Sequence, residues 1–201
     1  MPFKVLVIDD EPDATPFGIN VIVSRSHTVL IADTAVTERP TAEQYAAIAM
    51  RASSFARRIG VEPRVAFISY TTFGNPPGMH IGELRGAVEL LDSFKTDFEY
   101  EGEMAPDVAL NYEMQKRYYP FTRLSGPANI LVMPGLQSAS ISSKLLRELG
   151  GDNVLGPYML GLEHPVQIAP MTAAITDVIA NVATKATGIG TPSFCMIRPK
   201  L

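Results

Sequence analysis

The feature that most constrains this chain is its alternation of short, β-branched apolar runs with helical patterns of ten or more residues. A strand that leaves a sheet through a long crossover re-enters parallel to its neighbour. Parallel strands are in turn covered on both faces by those crossovers. The alternation therefore predicts an α/β fold, a largely parallel sheet flanked by helices. Residues 3–8, 19–23, 28–32, 64–70, 97–100, 129–133, 153–160 and 166–168 read as strands. Residues 41–59, 81–94, 106–119, 139–149 and 173–187 read as helices, the first being the clearest. There Ala42, Tyr45, Ala46, Ala49, Ala52 and Ala56 recur at spacings of three and four, Thr41 and Gln44 form a capping-box pair, and Gly60 stands where the helix stops. Ser24 to His27 separates two β-branched runs and reads as a hairpin turn. Residues 11–18 read as a loop or linker, and the tail from residue 188 as irregular.

Composition narrows the function classes. With 201 residues, 46% of them hydrophobic, 19% charged and mean hydropathy +0.11, the chain can bury a core and is not of the disordered type. Net charge −4 gives no overall electrostatic footprint for nucleic acid. The single cysteine, Cys195, excludes an internal disulfide framework and any all-cysteine metal site, and three scattered histidines (His27, His80, His164) argue against a zinc enzyme. No apolar run reaches the ~20 residues of a membrane span. The first ten residues lack the pattern of a signal peptide, and the terminal Pro-Lys-Leu is a poor peroxisomal address. The expectation is a soluble cytoplasmic protein with neither nucleic acid nor membrane as partner.

Three stretches could carry chemistry. KVLVIDDEPD at residues 4–13 resembles the first strand and acidic pocket of response-regulator receivers, but residues 51–62 contain no aspartate to serve as phosphoacceptor, so it reads as a strand with an acidic turn. Ser69, Tyr70, Thr71, Thr72, Phe73 and Gly74 follow a strand, where ligands of open α/β sheets collect, and hydroxyls beside a glycine suit phosphate oxygens. A plain loop is the alternative. Gln137, Ser138 and Ser140 stand at the start of a helix, whose free N–H groups attract anions; the alternative is that a serine is only an N-cap. Arg51, Arg57, Arg58 and Arg64 read as a solvated face, His164 as structural, Cys195 as a poor nucleophile, and Tyr118 to Phe121 as a packing or interface cluster.

Three longer stretches resemble one family. They are IADTAVTERPTAEQYAAIAMRASSFARRIGVEPRVAFISYTTFG, then EGEMAPDVAL, then YYPFTRLSGPANILVMPGLQSASISSKLLRELGGDNVLGPYMLGLEHPVQIAP. Together, over about residues 19–187, the chain is similar to the phosphate acetyl/butyryl transferases. It is most similar to the phosphotransacetylase-like C-terminal domain of NADP-dependent hybrid malic enzymes. The resemblance implies a three-layer α/β/α fold of the isocitrate/isopropylmalate dehydrogenase-like type, N-terminally incomplete. Residues 1–18 would be a non-family strand and linker. Residues 19–201 would be the C-terminal part of the domain, with about 19–155 one subdomain and about 156–201 the remnant of a second. The chain would then be a truncated domain, a fragment or a short independent product.

The same resemblance implies a cleft for CoA, acyl phosphate and phosphate, lined by Asp33, Thr34, Ser69, Thr71, Thr72, Gly74, Gln137, Ser138 and Ser140. Acetyl-CoA or CoA is the implied ligand, with no covalently bound cofactor and no metal. Two departures matter. Pro170 and Met171 fall where the acyltransferases carry a Ser-Arg pair, while Asp177 matches the family's aspartate. Neither replacement can donate a side-chain hydrogen bond or carry a cation, and loss of one such donor costs on the order of 10²–10³ in rate. Gln137 and Ser140 also replace acidic and amide residues of active members. The resemblance thus implies a catalytically degenerate domain that binds a CoA ester and regulates or assembles a malic enzyme. Its alternatives are a working acyltransferase using Asp177 and hydroxyls of Ser69 or Thr71, and a dimerising assembly module without ligand. A whole malic enzyme is excluded for these residues, which show no Rossmann glycine fingerprint and no plausible metal carboxylate set next to a Lys or Tyr pair.

Overall fold

A computed structural model describes residues 15–23, 28–77, 81–149 and 153–162. The elements run β1 (Phe17–Val23), β2 (Thr28–Ala32), α1 (Ala42–Arg58), β3 (Arg64–Ile68), α2 (Gly82–Ser93), β4 (Glu99–Met104), α3 (Pro106–Leu110), α4 (Tyr112–Tyr118), β5 (Ile130–Val132), α5 (Leu136–Glu148) and β6 (Asn153–Leu160). They build one six-stranded sheet in the order β4-β3-β5-β2-β1-β6. The strands predicted at 3–8 and 166–168, the turn at 24–27, the helix at 173–187 and the tail lie outside the described residues.

The four strands β4, β3, β5 and β2 pair parallel, as the alternation requires, but β1 runs antiparallel to both β2 and β6. The sheet is therefore mixed. The reason is local: only four residues separate Val23 from Thr28, its registered partner, and so short a connection joins antiparallel strands only.

Side chains alternate between two apolar layers, one on each side of the sheet. Leu30, Ala32, Val65, Phe67, Ile130 and Val132 face α1 and α2. Ile31, Ala66, Ile68, Leu131 and Met133 face the layer of α3 and α5 through Val108, Ala109 and Ala139. Each of the large residues among these is essentially excluded from water, which stabilises the fold by about 1.5–3 kcal/mol apiece. Three layers follow from this two-sided burial.

Helix α1 forms as its sequence requires. Thr41 Oγ1 accepts from the Gln44 N–H, the Gln44 side chain accepts from the Thr41 N–H, and the alanine-rich face bearing Ala46, Ala49, Ala52 and Ala56 is buried. Its small side chains let the helix axis lie close to the sheet. Three other elements depart from the sequence expectation. The pattern over 106–119 breaks at Asn111, which leaves helical geometry and uses its own Oδ1 to cap α4 at the Met114 N–H. The strand expected at 97–100 runs instead over Glu99–Met104. Its alternating glutamates hid it, because each carboxylate accepts from a neighbouring segment: Glu99 from Ser125, Glu101 from Arg123, and Glu103 from Thr71, Gly74 and Arg85. Helix α5 starts at Leu136 rather than residue 139, directly after Gly135.

Candidate functional site

Because β2, β5, β3 and β4 are adjacent and parallel, their carboxyl ends meet at one edge of the sheet. The loops that leave them are 33–38, 133–135, 69–75 and the end of β4 itself. All nine expected ligand residues lie in or next to the first three, so the edge is the place where open α/β sheets hold ligands.

Asp33 is fully buried at the end of β2, and its two carboxylate oxygens accept four backbone N–H bonds. Oδ1 takes Gly18 at 2.8 Å, Ala35 at 2.9 Å and Val36 at 3.2 Å, and Oδ2 takes Thr37 at 2.7 Å. The carboxylate thus folds the 33–38 loop around itself and ties it to β1. Thr34 adds a second tie, its N–H donating to Gly18 O at 2.9 Å. The loop then rests on the one leaving β5: Leu136 N–H donates to Thr37 O at 3.0 Å, and a Cβ at Gly135 would stand 2.3 Å from Glu38 O. Only glycine fits there, both for space and for its φ of +148°. Tyr45 of α1 supports the same loop from below, its phenol donating to Pro134 O at 2.9 Å; burial, with Glu83 nearby, pushes that phenol up to about 12.

The loop after β3 is organised by Glu103. This glutamate is 1% exposed, and Oε1 accepts from the Gly74 N–H at 2.6 Å and the Thr71 hydroxyl at 3.1 Å. Arg85 of α2 closes the set, with Nε 2.9 Å from Oε2 and Nη2 3.4 Å from Oε1. Burial alone would raise the Glu103 carboxyl, but Arg85, the Gly74 amide and the Thr71 hydroxyl together hold it below its ordinary value. Ser69 Oγ lies 3.1 Å from Thr71 Oγ1 and accepts the Thr71 N–H at 3.3 Å, while Thr72 Oγ1 accepts the Ala105 N–H. The three hydroxyls are therefore buried in the frame of the loop. Tyr70 beside them is largely exposed, and Phe73 (φ +48°) packs its ring against Tyr119 and Phe121.

A profile of the phosphate acetyl/butaryl transferases matches residues 5–186. The chain belongs to this family. It is 50% identical to the NADP-dependent malic enzyme of Rhizobium meliloti over 184 residues, 92% of this chain and 24% of that protein. To the phosphate acetyltransferase of Clostridium acetobutylicum it is 32% identical over 156 residues, 77% of this chain and 47% of that protein. A phosphotransacetylase structure from Streptococcus pyogenes superposes with TM-score 0.81 at 26% identity, covering 91% of this chain and 56% of that one. The chain thus spans about a quarter of the Rhizobium meliloti malic enzyme and about half of the Clostridium acetobutylicum acetyltransferase. The malic enzyme matches are confined to the phosphotransacetylase-like region.

Within this phosphate acyltransferase domain, the structure brings Asp33, Thr34, Ser69, Thr71, Thr72 and Gly74 to the same edge as the first turns of α5. Gln137 is exposed there, and Ser138 and Ser140 are half-buried. Neither serine is an N-cap: Gly135 occupies that position and no side chain caps the helix. Of the Tyr118 to Phe121 run, Tyr119 and Phe121 pack their rings with Phe73, while Tyr118 and Phe121 remain largely exposed. Pro170, Met171 and Asp177 lie outside the described residues, as do all three histidines and Cys195. Among the described residues no group of three or more histidine, cysteine or acidic side chains could hold a metal ion, and no helix is long and apolar enough to cross a membrane.

Sequence reasoning missed Glu103 and Arg85. The signal for Glu103 was present, a glutamate between the apolar-facing residues of a strand. Arg85 sits on an ordinary amphipathic helix, and only the crossover of α2 behind β3 brings it to the loop.

Proposed function

We propose that this chain is a phosphate acetyltransferase-like domain that binds acetyl-CoA or a related CoA ester, turns over no acyl group by itself, and regulates or assembles an NADP-dependent malic enzyme in the cytoplasm as a dimer or higher oligomer. The observation that carries the reading is the pairing of two facts. The chain is 50% identical to a malic enzyme across 92% of its own length. It also has Pro170 and Met171 where the acyltransferases it resembles carry Ser and Arg. A degenerate catalytic pair in a chain that otherwise keeps the family's motifs supports retention of binding without transfer. Two groups at the carboxyl edge support a polyanionic ligand: the backbone N–H groups in the first turn of α5 and the Arg85 guanidinium at the rim of the loop after β3.

The thermal midpoint of the purified chain with and without excess acetyl-CoA tests binding. Ligand at 100 times its dissociation constant stabilises the folded state by about 2.7 kcal/mol, an upward shift of a few degrees. A coupled assay for acetyl phosphate and CoA tests transfer. A stabilised chain with no transfer is the expected result, and release of thiol at rates typical of enzymes would overturn it. The second reading, a working phosphate acyltransferase, is favoured by Asp177 and by the matches to phosphate acetyltransferases at 28–34% identity. The same assay decides between them.

A further inference from the structure

Arg85 is placed unlike the other arginines of the described residues. Its guanidinium stands at the carboxyl edge of the sheet, against Gly74, where a Cβ would come within 2.6 Å of Nη2. One side of its fork is taken by Glu103 through Nε and Nη2. Nη1 has no partner among the described residues, and the side chain is 46% exposed while the carboxylate that holds it is 1% exposed. The pair therefore has a direction: its negative end lies inside and its positive end faces water. Held on one side, the fork loses little freedom on receiving a second anion, which is the condition for bidentate reading of a phosphate. Arg57, by contrast, is spent on Asp97 and Glu62, and Arg123 on Asp92 and Glu101 with its plane over Tyr100, 4.6 Å from the ring centre.

We infer that Arg85 is the cation that reads a phosphate group of the bound ligand at this edge, with Glu103 as the positioning residue that aims it. The inference rests on the proposed CoA ester reading and deepens it: the phosphate-bearing part of the ligand lies over the loop after β3, beside α2. Glu103 does its work through Arg85 and through the Thr71 and Gly74 contacts, and does not itself face the anion.

The test is isothermal calorimetry on the full chain with three probes: acetyl-CoA, S-acetylpantetheine, which keeps the thioester but has no phosphate, and inorganic pyrophosphate. Arg85→Gln weakens acetyl-CoA and pyrophosphate by about 10–100-fold and leaves S-acetylpantetheine unchanged. Arg85→Lys restores part of the loss. The double variant Arg85→Gln, Glu103→Gln removes both charges while keeping a neutral amide pair in the same place, and the thermal midpoint shows whether each variant folds. If it folds as the parent does but still binds both phosphate probes weakly, Arg85 acts on the ligand directly. If it binds them like the parent, Arg85 serves only to neutralise Glu103 and the inference fails. Equal losses for S-acetylpantetheine would also overturn it. Pyrophosphate binding that depends on Arg85, with no binding of acetyl-CoA, would keep the inference and reject the CoA ester reading. A folded parent chain that binds none of the three would reject both.

Discussion

Replacing Asp33 by alanine removes the acceptor for four backbone N–H groups at once. The four are not equal. Gly18 N–H is buried within β1 and cannot reach water once its acceptor is gone, while Ala35, Val36 and Thr37 lie in a partly exposed loop and can be rehydrated. An orphaned buried donor costs about 1–3 kcal/mol, and each charge-assisted bond surrendered to water costs a smaller share, so Asp33→Ala loses about 3–5 kcal/mol. Set against the 5–15 kcal/mol typical of a domain, that is a severe loss. Asp33→Asn is the informative companion. Its oxygen can keep Gly18, Ala35 and Val36, while its amide turns a donor toward Thr37 N–H, so only the 2.7 Å bond is lost, at a cost of about 1–2 kcal/mol. Urea unfolding followed by far-ultraviolet circular dichroism measures both, and the change should fall in the midpoint with the slope preserved. An alanine variant within about 0.5 kcal/mol of the parent would refute the reasoning, because it would mean that the loop does not depend on the carboxylate. The experiment also separates two roles: a variant that folds normally yet loses ligand would make Asp33 a contact residue rather than the post around which the loop is wound.

Further outcomes follow from the same geometry. Gly135→Ala forces a methyl to within 2.3 Å of Glu38 O at a φ of +148°, so it should unfold at least 2 kcal/mol (~2–4) more easily than the parent, read by the same urea titration. Tyr45→Phe removes only the bond to Pro134 O and should cost about 0.5–1.5 kcal/mol, with ligand affinity falling only if the 133–135 loop shifts. Glu103 titrates below its ordinary value of 4.5, so its contribution is present above that pH and is lost as pH falls through the still lower folded value. Thermal midpoints taken below pH 4.5 should therefore fall less steeply for Glu103→Gln than for the parent, and identical acid slopes would contradict the assignment. Arg57→Ala removes ion pairs whose acidic partners Glu62 and Asp97 are largely exposed; it should change stability by less than about 1 kcal/mol in the same denaturation assay.

What was legible in the sequence was local. The capping box of Thr41 and Gln44, the buried alanine face of α1, and the β-branched runs that became β2, β3 and β5 each depend on neighbours within a few residues, and periodicity reads such neighbours directly. The alternation of those runs also pointed to parallel strands, whose carboxyl ends lie at one edge; that the Ser69–Gly74 and Pro134–Ser140 stretches share a cleft was implied by the family resemblance. Tertiary structure decided the rest, because the deciding contacts join residues far apart in sequence. Glu103 meets Arg85 and the Thr71–Gly74 loop only because β4 pairs beside β3 and α2 crosses behind them. Asp33 reaches Gly18 fifteen residues back because β1 turns antiparallel onto β2. Helix α5 begins at Leu136 because Gly135 lets the backbone press against Glu38, a constraint set almost a hundred residues earlier in the chain. Local sequence determines which elements can form; which carboxylate meets which cation is set by the order in which those elements stack.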